Sequence, residues 1–356
     1  MEKETSKRIK KILLRMKAEK TDAFLISSKT NIRYLTGIEE IEGYLAISSN
    51  YTVVFTDFRY ISEAKKQCRL SGVNFVRYKK NPLKTIAEKL KREKLKRIWF
   101  EAKGLPYQSY LRLKESFTGK EIKLIPSYNI VEEIRAIKDP SETENIKKAV
   151  SITCECFKFV KSLIYPGINE KFIALEIERF LKLKGDLTIA FPPITAAGSL
   201  SAQPHHHPQK SSIYNGNILL VDMGAKHKGY CADLTRVIFS SRMPLYLKKV
   251  NRIIEKAREL AIKKAKPGIK ISEIDKAARG YIEKKGFGKY FGHALGHGVG
   301  LDVHELPSVN SSNQGRLKQG MVLTIEPGIY LPGKFGIRKE SVILIKNKPV
   351  ILDEYC

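Results

Sequence analysis

YPGINEKFIALEIERFLKLKG, residues 165–185, returns as KPGIKISEIDKAARGYIEKKG at 266–286. Pro166, Gly167, Ile168 and Gly185 align with Pro267, Gly268, Ile269 and Gly286 at a constant offset of 101. In each copy a helical pattern precedes the Pro-Gly, another follows it, and β-rich sequence comes after the final glycine. Such a repeat predicts two similar α/β halves related by a pseudo-twofold axis. Side chains contributed by both sheets would then meet between the halves.

The residues that could meet there are acids in strand-like contexts. Asp222 lies in ILLVDMG, Asp233 in YCADLTRV, Glu326 in VLTIEPGIY and Glu340 in GIRKESVILI. Asp222, Glu326 and Glu340 adjoin apolar runs, where a carboxylate is expensive unless it is paired or bound to a cation. Asp222 and Asp233 are separated by the turn-rich GAKHKGY, which allows adjacent antiparallel strands. Alternation puts Asp222 on one face of its strand, with Val221 and Met223 on the other. Glu326 and Glu340 are separated by PGIYLPGKFGIR, a second hairpin-like connection.

All seven histidines lie between His205 and His304. FGHALGHGVGLDVHELP carries His293, His297 and His304, and glycines flank His297. Small neighbours let the backbone approach a crowded centre. One imidazole from His297 and four carboxylates make a donor set suited to two hard or borderline cations such as Mn²⁺, Co²⁺ or Zn²⁺. On this reading His293 and His304 face substrate. PHHHP at 204–208 is open to two readings, an exposed loop or a loop that carries His205 into a cleft.

Towards the N-terminus the pattern changes. Residues 4–20 form an amphipathic helical pattern, followed by β-like runs at 22–27, 44–48, 51–56 and 97–102. The segment 78–100 predicts a surface helix with Leu83, Ile86 and Leu90 facing inward. Alternating strand and helix indicates a separate α/β domain, 1–125, ahead of a larger one, 126–356. Pro140, with Asp139 as its cap, is expected to open the first helix of the larger domain.

Composition narrows the class. The formal net charge of +28 comes mostly from lysines, which cluster at residues 3–20 and 78–100. No zinc finger and no aromatic–basic platform accompanies them, so a solvated surface is expected rather than nucleic acid binding. No run of 18 apolar residues predicts a membrane span, and the first 20 residues lack an apolar signal core. Cys68, Cys154, Cys156, Cys231 and Cys356 form no CxxC pair and are expected as free thiols in the cytoplasm.

The ordered set VDMG, ADLTR, GHGVGLDVHE, IEPG and IRKE resembles that of the metal-dependent pita-bread peptidases, in the branch of Xaa-Pro aminopeptidases and Xaa-Pro dipeptidases (prolidases). NIRYLTG and VVFTDFRY resemble that branch's smaller N-terminal domain. Creatinases share this domain but lack the full metal set, whereas all five ligand positions are filled here. The resemblance implies a C-terminal pita-bread α+β catalytic domain behind a smaller α/β creatinase-type domain. It implies two divalent metal ions held by Asp222, Asp233, His297, Glu326 and Glu340. In that pattern Asp222 uses both oxygens on one ion, Asp233 and Glu340 bridge the pair, and His297 and Glu326 complete the other shell. It places His205, His293 and His304 in the substrate cleft and Arg338 in the supporting polar network. Glu326, His205 and His304 are the expected catalytic residues, and His293, His304 and Arg338 the expected substrate-binding ones.

The implied activity is release of an N-terminal residue from a peptide whose second residue is proline, by a hydroxide that two cations activate. The alternative is a strict Xaa-Pro dipeptidase, and a third reading is a non-enzymatic interaction module of the same fold. A homodimer and a proline-containing peptide substrate are further implications, with neither nucleic acid nor membrane as a partner. His206 and His207 have no assigned role.

Overall fold

A computed structural model describes residues 2–93, 95–118, 121–214, 218–240 and 244–356. The chain divides into two compact units, Met1–Arg135 and Ala136–Cys356.

The first unit begins with α1 (Glu2–Ala18), β1 (Ala23–Ile26), α2 (Lys29–Thr36), β2 (Gly43–Ser48) and β3 (Thr52–Thr56). It continues through α3 (Ile61–Ser71), β4 (Asn74–Arg77), α4 (Pro82–Arg92), β5 (Arg97–Glu101), α5 (Tyr107–Ser116), β6 (Lys123–Ser127) and α6 (Ile130–Arg135). The strands form one six-stranded sheet in the order β4-β3-β2-β1-β5-β6. The expected inward positions of α4 are all buried, with Ala87 completing the stripe. The lysines between them stay outside because burying an unpaired ammonium is costly. This amphipathic division turns a lysine-rich segment into a packed helix.

The second unit contains the two halves that the repeat predicts. In the first, α7 (Pro140–Leu163) and α8 (Glu170–Lys184) precede β7 (Ile194–Ala197), β8 (Ile218–Met223) and β11 (Leu234–Phe239). The small hairpin β9 (Lys226–His227) and β10 (Tyr230–Cys231) lies between β8 and β11. In the second half, α9 (Leu245–Lys264) and α10 (Ile271–Lys284) precede β12 (Gly296–Gly298), β13 (Glu305–Val309), β14 (Val322–Ile325) and β17 (Ser341–Leu344). Here the inserted hairpin is β15 (Gly328–Leu331) with β16 (Phe335–Arg338), and β18 (Val350–Ile351) closes the sheet.

The ladders repeat as well as the sequence. β8 lies between β7 and β11, and β14 lies between β12 and β17, all antiparallel. Gly167 and Gly268 both take positive φ, and their amides donate to Ile213 and Leu317 at 2.8 Å. A Cβ at either glycine would meet nothing, so the backbone angle rather than crowding selects glycine there. Each half buries its own core. Ile152, Ile173 and Ile177 pack with Leu219, Val221 and Met223, while Ile254, Ile274 and Ala278 pack with Leu323 and Ile325. The helices therefore cover one face of each sheet, and strand alternation sends Asp222 and Thr324 to the other.

Asp139 caps α7 as expected, in a full capping box with Glu142. One expectation fails. Cys154 and Cys356 form a disulfide with Cα atoms 4.9 Å apart, and only Cys68, Cys156 and Cys231 are free. The two partners are 202 residues apart in sequence, so spacing gave no sign of the pair. Chain folding brings them to geometry a disulfide requires. Non-reducing peptide mapping should recover a Cys154–Cys356 cross-linked fragment, with Cys68, Cys156 and Cys231 protected from alkylation until the protein unfolds. Full labelling of Cys154 in the native, unreduced protein would contradict the bridge.

Candidate metal centre

The acid-bearing faces of the two sheets supply the centre. Ile194 sits opposite Asp222 in the β7–β8 ladder. The Glu326 amide donates to the Leu295 carbonyl at 2.8 Å, so Leu295 faces Glu326 in the same way. Ile194 and Leu295 are again offset by 101. Asp222 and Glu326 therefore occupy equivalent positions in the two halves. By the same register His297 corresponds to Ala196, so the imidazole is supplied from one side only.

The ligand atoms of Asp222, Asp233 and Glu340 lie within 4.8 Å of one another. The same holds for His297, Glu326 and Glu340, and for Asp233, His297 and His304. Glu340 thus belongs to two adjoining groups, as does Asp233. All five predicted ligands come together, and His304 joins them at the exposed edge.

In its neutral form His297 is held in one tautomer. The Gly298 carbonyl can only accept, so at 3.1 Å it takes the Nδ1 proton. Nε2 is left facing Glu326 Oε1 at 3.2 Å and Asp233 Oδ2 at 3.6 Å. The flanking glycines are required by crowding, since a Cβ at Gly296 would lie 2.0 Å from the Thr324 carbonyl oxygen. Thr324 in turn accepts from the His297 amide at 3.0 Å.

Arg338 is a buried cation beside these acids. Its Nη2 donates to Asp222 Oδ2 at 2.6 Å, Nε to Thr235 Oγ1 at 2.9 Å, and Nη1 to the Tyr330 hydroxyl at 3.0 Å. The Thr235 hydroxyl in turn donates to Glu340 Oε2 at 2.9 Å. One guanidinium and one threonine hydroxyl thus orient an acid from each half. Even so, Asp222 Oδ1 and Glu340 Oε1 are buried with no hydrogen-bond partner. Buried acceptors of this kind are rare unless a water or a cation meets them. Four carboxylates, one imidazole and two orphaned oxygens fit divalent cations as their missing partner.

The protein's own groups also show the charge excess. Burial, followed by the charges of Glu340 and Asp222, holds the Asp233 carboxyl well above the usual carboxylate range. Burial and the charges of Glu326 and Asp222 do the same to Glu340. Burial raises Asp222 too, against the opposing charge of Arg338. Glu326 differs. Burial would raise it, but the hydrogen bond and charge of a protonated His297, together with the charges of Arg338 and His293, lower it.

The remaining predicted residues surround this core. His293 donates from Nδ1 to the Ala294 carbonyl at 2.7 Å, and its Nε2 accepts from the Tyr330 hydroxyl at 3.0 Å. Both ring nitrogens are occupied, so His293 can offer a ligand only its ring. Phe291 packs against that ring edge-on with centroids 5.0 Å apart, and Tyr330 lies 5.6 Å away. Burial depresses the His293 pKa. His304 is exposed, with its ring 4.2 Å from that of His297. Its pKa is lowered by partial burial, then by the charge of His297, with His205 adding to the effect. His205 is likewise exposed, while His206 is buried. His207 is exposed.

Thr235, Thr324 and Tyr330 escaped the sequence reading. Tyr330 had a signal in strand alternation. Arg338 pairs with Gly328 across the β15–β16 hairpin, which puts Tyr330, two residues along, on the same face. The hydroxyls of Thr235 and Thr324 had none, because threonine is ordinary in strands.

Residues 144–347 match the model of metallopeptidase family M24, and residues 8–137 match the creatinase/prolidase N-terminal domain. A Xaa-Pro dipeptidase of Pyrococcus horikoshii is 33% identical over 96% of this chain and 94% of its own. The solved structure of a Xaa-Pro dipeptidase from Bacillus anthracis is 32% identical, with a TM-score of 0.94, over 99% of this chain and 98% of that one. An X-Pro aminopeptidase structure from Thermotoga maritima is also 32% identical, with a TM-score of 0.88, over 98% of both chains. These likenesses bear out the expected fold, a creatinase-type domain followed by a pita-bread catalytic domain.

Raised carboxyl pKa values have a measurable consequence for cation binding. Asp233 and Glu340 retain protons at a pH where free carboxylates have lost them, and cation ligation requires the deprotonated form. Binding of Mn²⁺ to apoprotein should release protons, and apparent affinity should fall as pH falls. Titration calorimetry in buffers of different ionisation enthalpy reads the release directly. A binding enthalpy independent of buffer would contradict it.

Proposed function

The chain belongs to metallopeptidase family M24, and on that premise we propose that it is an exopeptidase that cuts between an N-terminal residue and a following proline. Xaa-Pro dipeptidase action, confined to dipeptides, is the alternative. The relatives include proteins named for each activity. The observation that carries the reading is the buried cluster of four acids and His297 with two unpartnered carboxylate oxygens. Catalysis is assigned to the C-terminal domain, 126–356.

We assign Asp222, Asp233, His297, Glu326 and Glu340 as the ligands of two divalent ions, Mn²⁺, Co²⁺ or Zn²⁺. Bound there, the ions would supply Lewis acidity and a water acidified towards neutral pH. Glu326 lies beside His297, its Oε1 3.2 Å from Nε2. It takes the proton of the attacking water as the new carbon–oxygen bond forms at the scissile carbonyl. It then delivers that proton to the imide nitrogen as the carbon–nitrogen bond breaks, so proline leaves as an amine. His205 and His304, at the exposed edge, donate hydrogen bonds to the developing oxyanion. Arg338 keeps Asp222 in place.

A substrate proline has no N–H to donate, and its ring fixes the local chain direction. Recognition must therefore rest on shape. The ring of His293, its nitrogens already paired and Phe291 and Tyr330 beside it, is an apolar surface suited to that purpose. The reading also includes a homodimer and a cytoplasmic location. Among the described residues no helix is long and apolar enough to cross a membrane.

Apoprotein reloaded separately with Mn²⁺, Co²⁺ and Zn²⁺ should hydrolyse a Xaa-Pro-Yaa-Zaa peptide after its first residue. Cleavage restricted to Xaa-Pro dipeptides would establish the alternative, and failure on both with every metal would overturn the peptidase reading. Glu326→Ala should abolish turnover and weaken metal retention, so activity at full metal content would remove Glu326 from both roles. His304→Ala should lower kcat by roughly a hundredfold, the scale of one lost oxyanion donor, with little loss of metal. Loss of a stoichiometric ion would instead make His304 a ligand.

A further inference from the structure

We propose that Glu170 and His206 form a buried clamp that positions His205 at the cleft, an inference that rests on the peptidase reading of the centre. His206 and Glu170 are almost fully enclosed, with side-chain exposures of 1% and 0%, and His206 Nε2 lies 2.8 Å from Glu170 Oε2. The same oxygen accepts from the Gln209 amide at 2.9 Å, and Oε1 accepts from the Ala197 amide at 2.7 Å. One carboxylate thus ties the end of β7 to the chain on the far side of His206.

His205 is held from its other side as well. The Pro204 carbonyl accepts from Arg338 Nη1 at 3.3 Å, and Arg338 also holds Asp222. Further back, Ser201 Oγ accepts from the Gly336 amide at 2.8 Å. His205 is therefore the exposed residue between two anchored neighbours. The Arg338 anchor refers its position to the acids, and the Glu170 anchor fixes the direction in which the chain leaves. His205 itself is exposed, so its placement depends on these neighbours.

The internal repeat supplies a control for a merely architectural role. The position 101 residues after Glu170 is Ile271, which is 2% exposed. The Ile271 amide donates to the Gly315 carbonyl at 2.9 Å, as the Glu170 amide donates to Ser211 at 3.1 Å. The second half thus builds the same helix start and the same bridge with isoleucine. Nor do the oxygens of Glu170 cap its own helix, since Asn169 does that by accepting from the Phe172 amide. A buried carboxylate is costly and must be satisfied. It occurs in the half whose loop carries an active-site imidazole.

The test is a double-mutant cycle in Mn²⁺-loaded protein, read as kcat and KM on a Xaa-Pro dipeptide and a Xaa-Pro tetrapeptide. His206→Ala should lower kcat by roughly ten- to a hundredfold, as expected for a misplaced catalytic group, with KM and metal content little changed. The same substitution in a His205→Ala background should lower kcat no further. His206→Gln keeps an N–H donor directed at Glu170 and should recover most of the loss. Equal losses in both backgrounds, no loss in either, or a glutamine variant no better than alanine would overturn the clamp. If His206→Ala does not fold, Glu170→Gln goes through the same cycle with the same criteria. Crystal structures of the variants give a readout independent of turnover. Displacement or disorder of His205, with Asp222, His297 and Glu326 superposed, supports the clamp even in a chain inactive on both peptides. An unmoved His205 overturns it.

Discussion

Four carboxylates brought together away from water repel one another, and each loses hydration on burial. Asp222, Asp233, Glu326 and Glu340 accept that cost together, and much of the surrounding chain is arranged to offset it. Arg338 meets Asp222, the Thr235 hydroxyl meets Glu340, and His297 meets Glu326. The compensation stops short, leaving Asp222 Oδ1 and Glu340 Oε1 unpartnered. A protein selected for stability alone would favour apolar side chains in such a place. The incomplete balance is what suits the cluster to divalent cations.

Duplication explains how a chain assembles such a cluster. Each half buries one sheet face beneath its own helix pair, which leaves the opposite face free to carry acids. Asp222 and Glu326 are register equivalents, so a single structural solution was used twice. The halves then diverged at particular points. Ala196 stands where the other half has His297, and Ile271 stands where the first half has Glu170. These departures mark chemistry that the fold does not require.

The exposed edge of the centre is organised differently from its interior. His293 has both nitrogens committed to hydrogen bonds, whereas His205 and His304 are exposed. Around a proline, whose nitrogen offers no hydrogen bond, a combination of shape and oxyanion donors is chemically coherent. Arg338 links the two regions by holding Asp222 on one side and the Pro204 carbonyl on the other. The placement of Asp222 and that of the chain leading into His205 are therefore connected through one side chain.

The sequence by itself determined the local and periodic features. These include the two Pro-Gly repeats, the inward stripe of α4, the Asp139 cap and the acids beside apolar runs. Each depends on residues close in the chain or at a fixed offset, where alternation and helical period govern burial. Only tertiary structure decided which polar groups satisfy one another. The Cys154–Cys356 bridge, the hydroxyls of Thr235 and Thr324, and the Glu170–His206 pair all join residues distant in sequence or ordinary in type. A histidine in PHHHP reads the same whether solvated or enclosed, because burial depends on what packs against it. For His206 that partner is Glu170, 36 residues earlier, brought beside it only when α8 and β7 assemble.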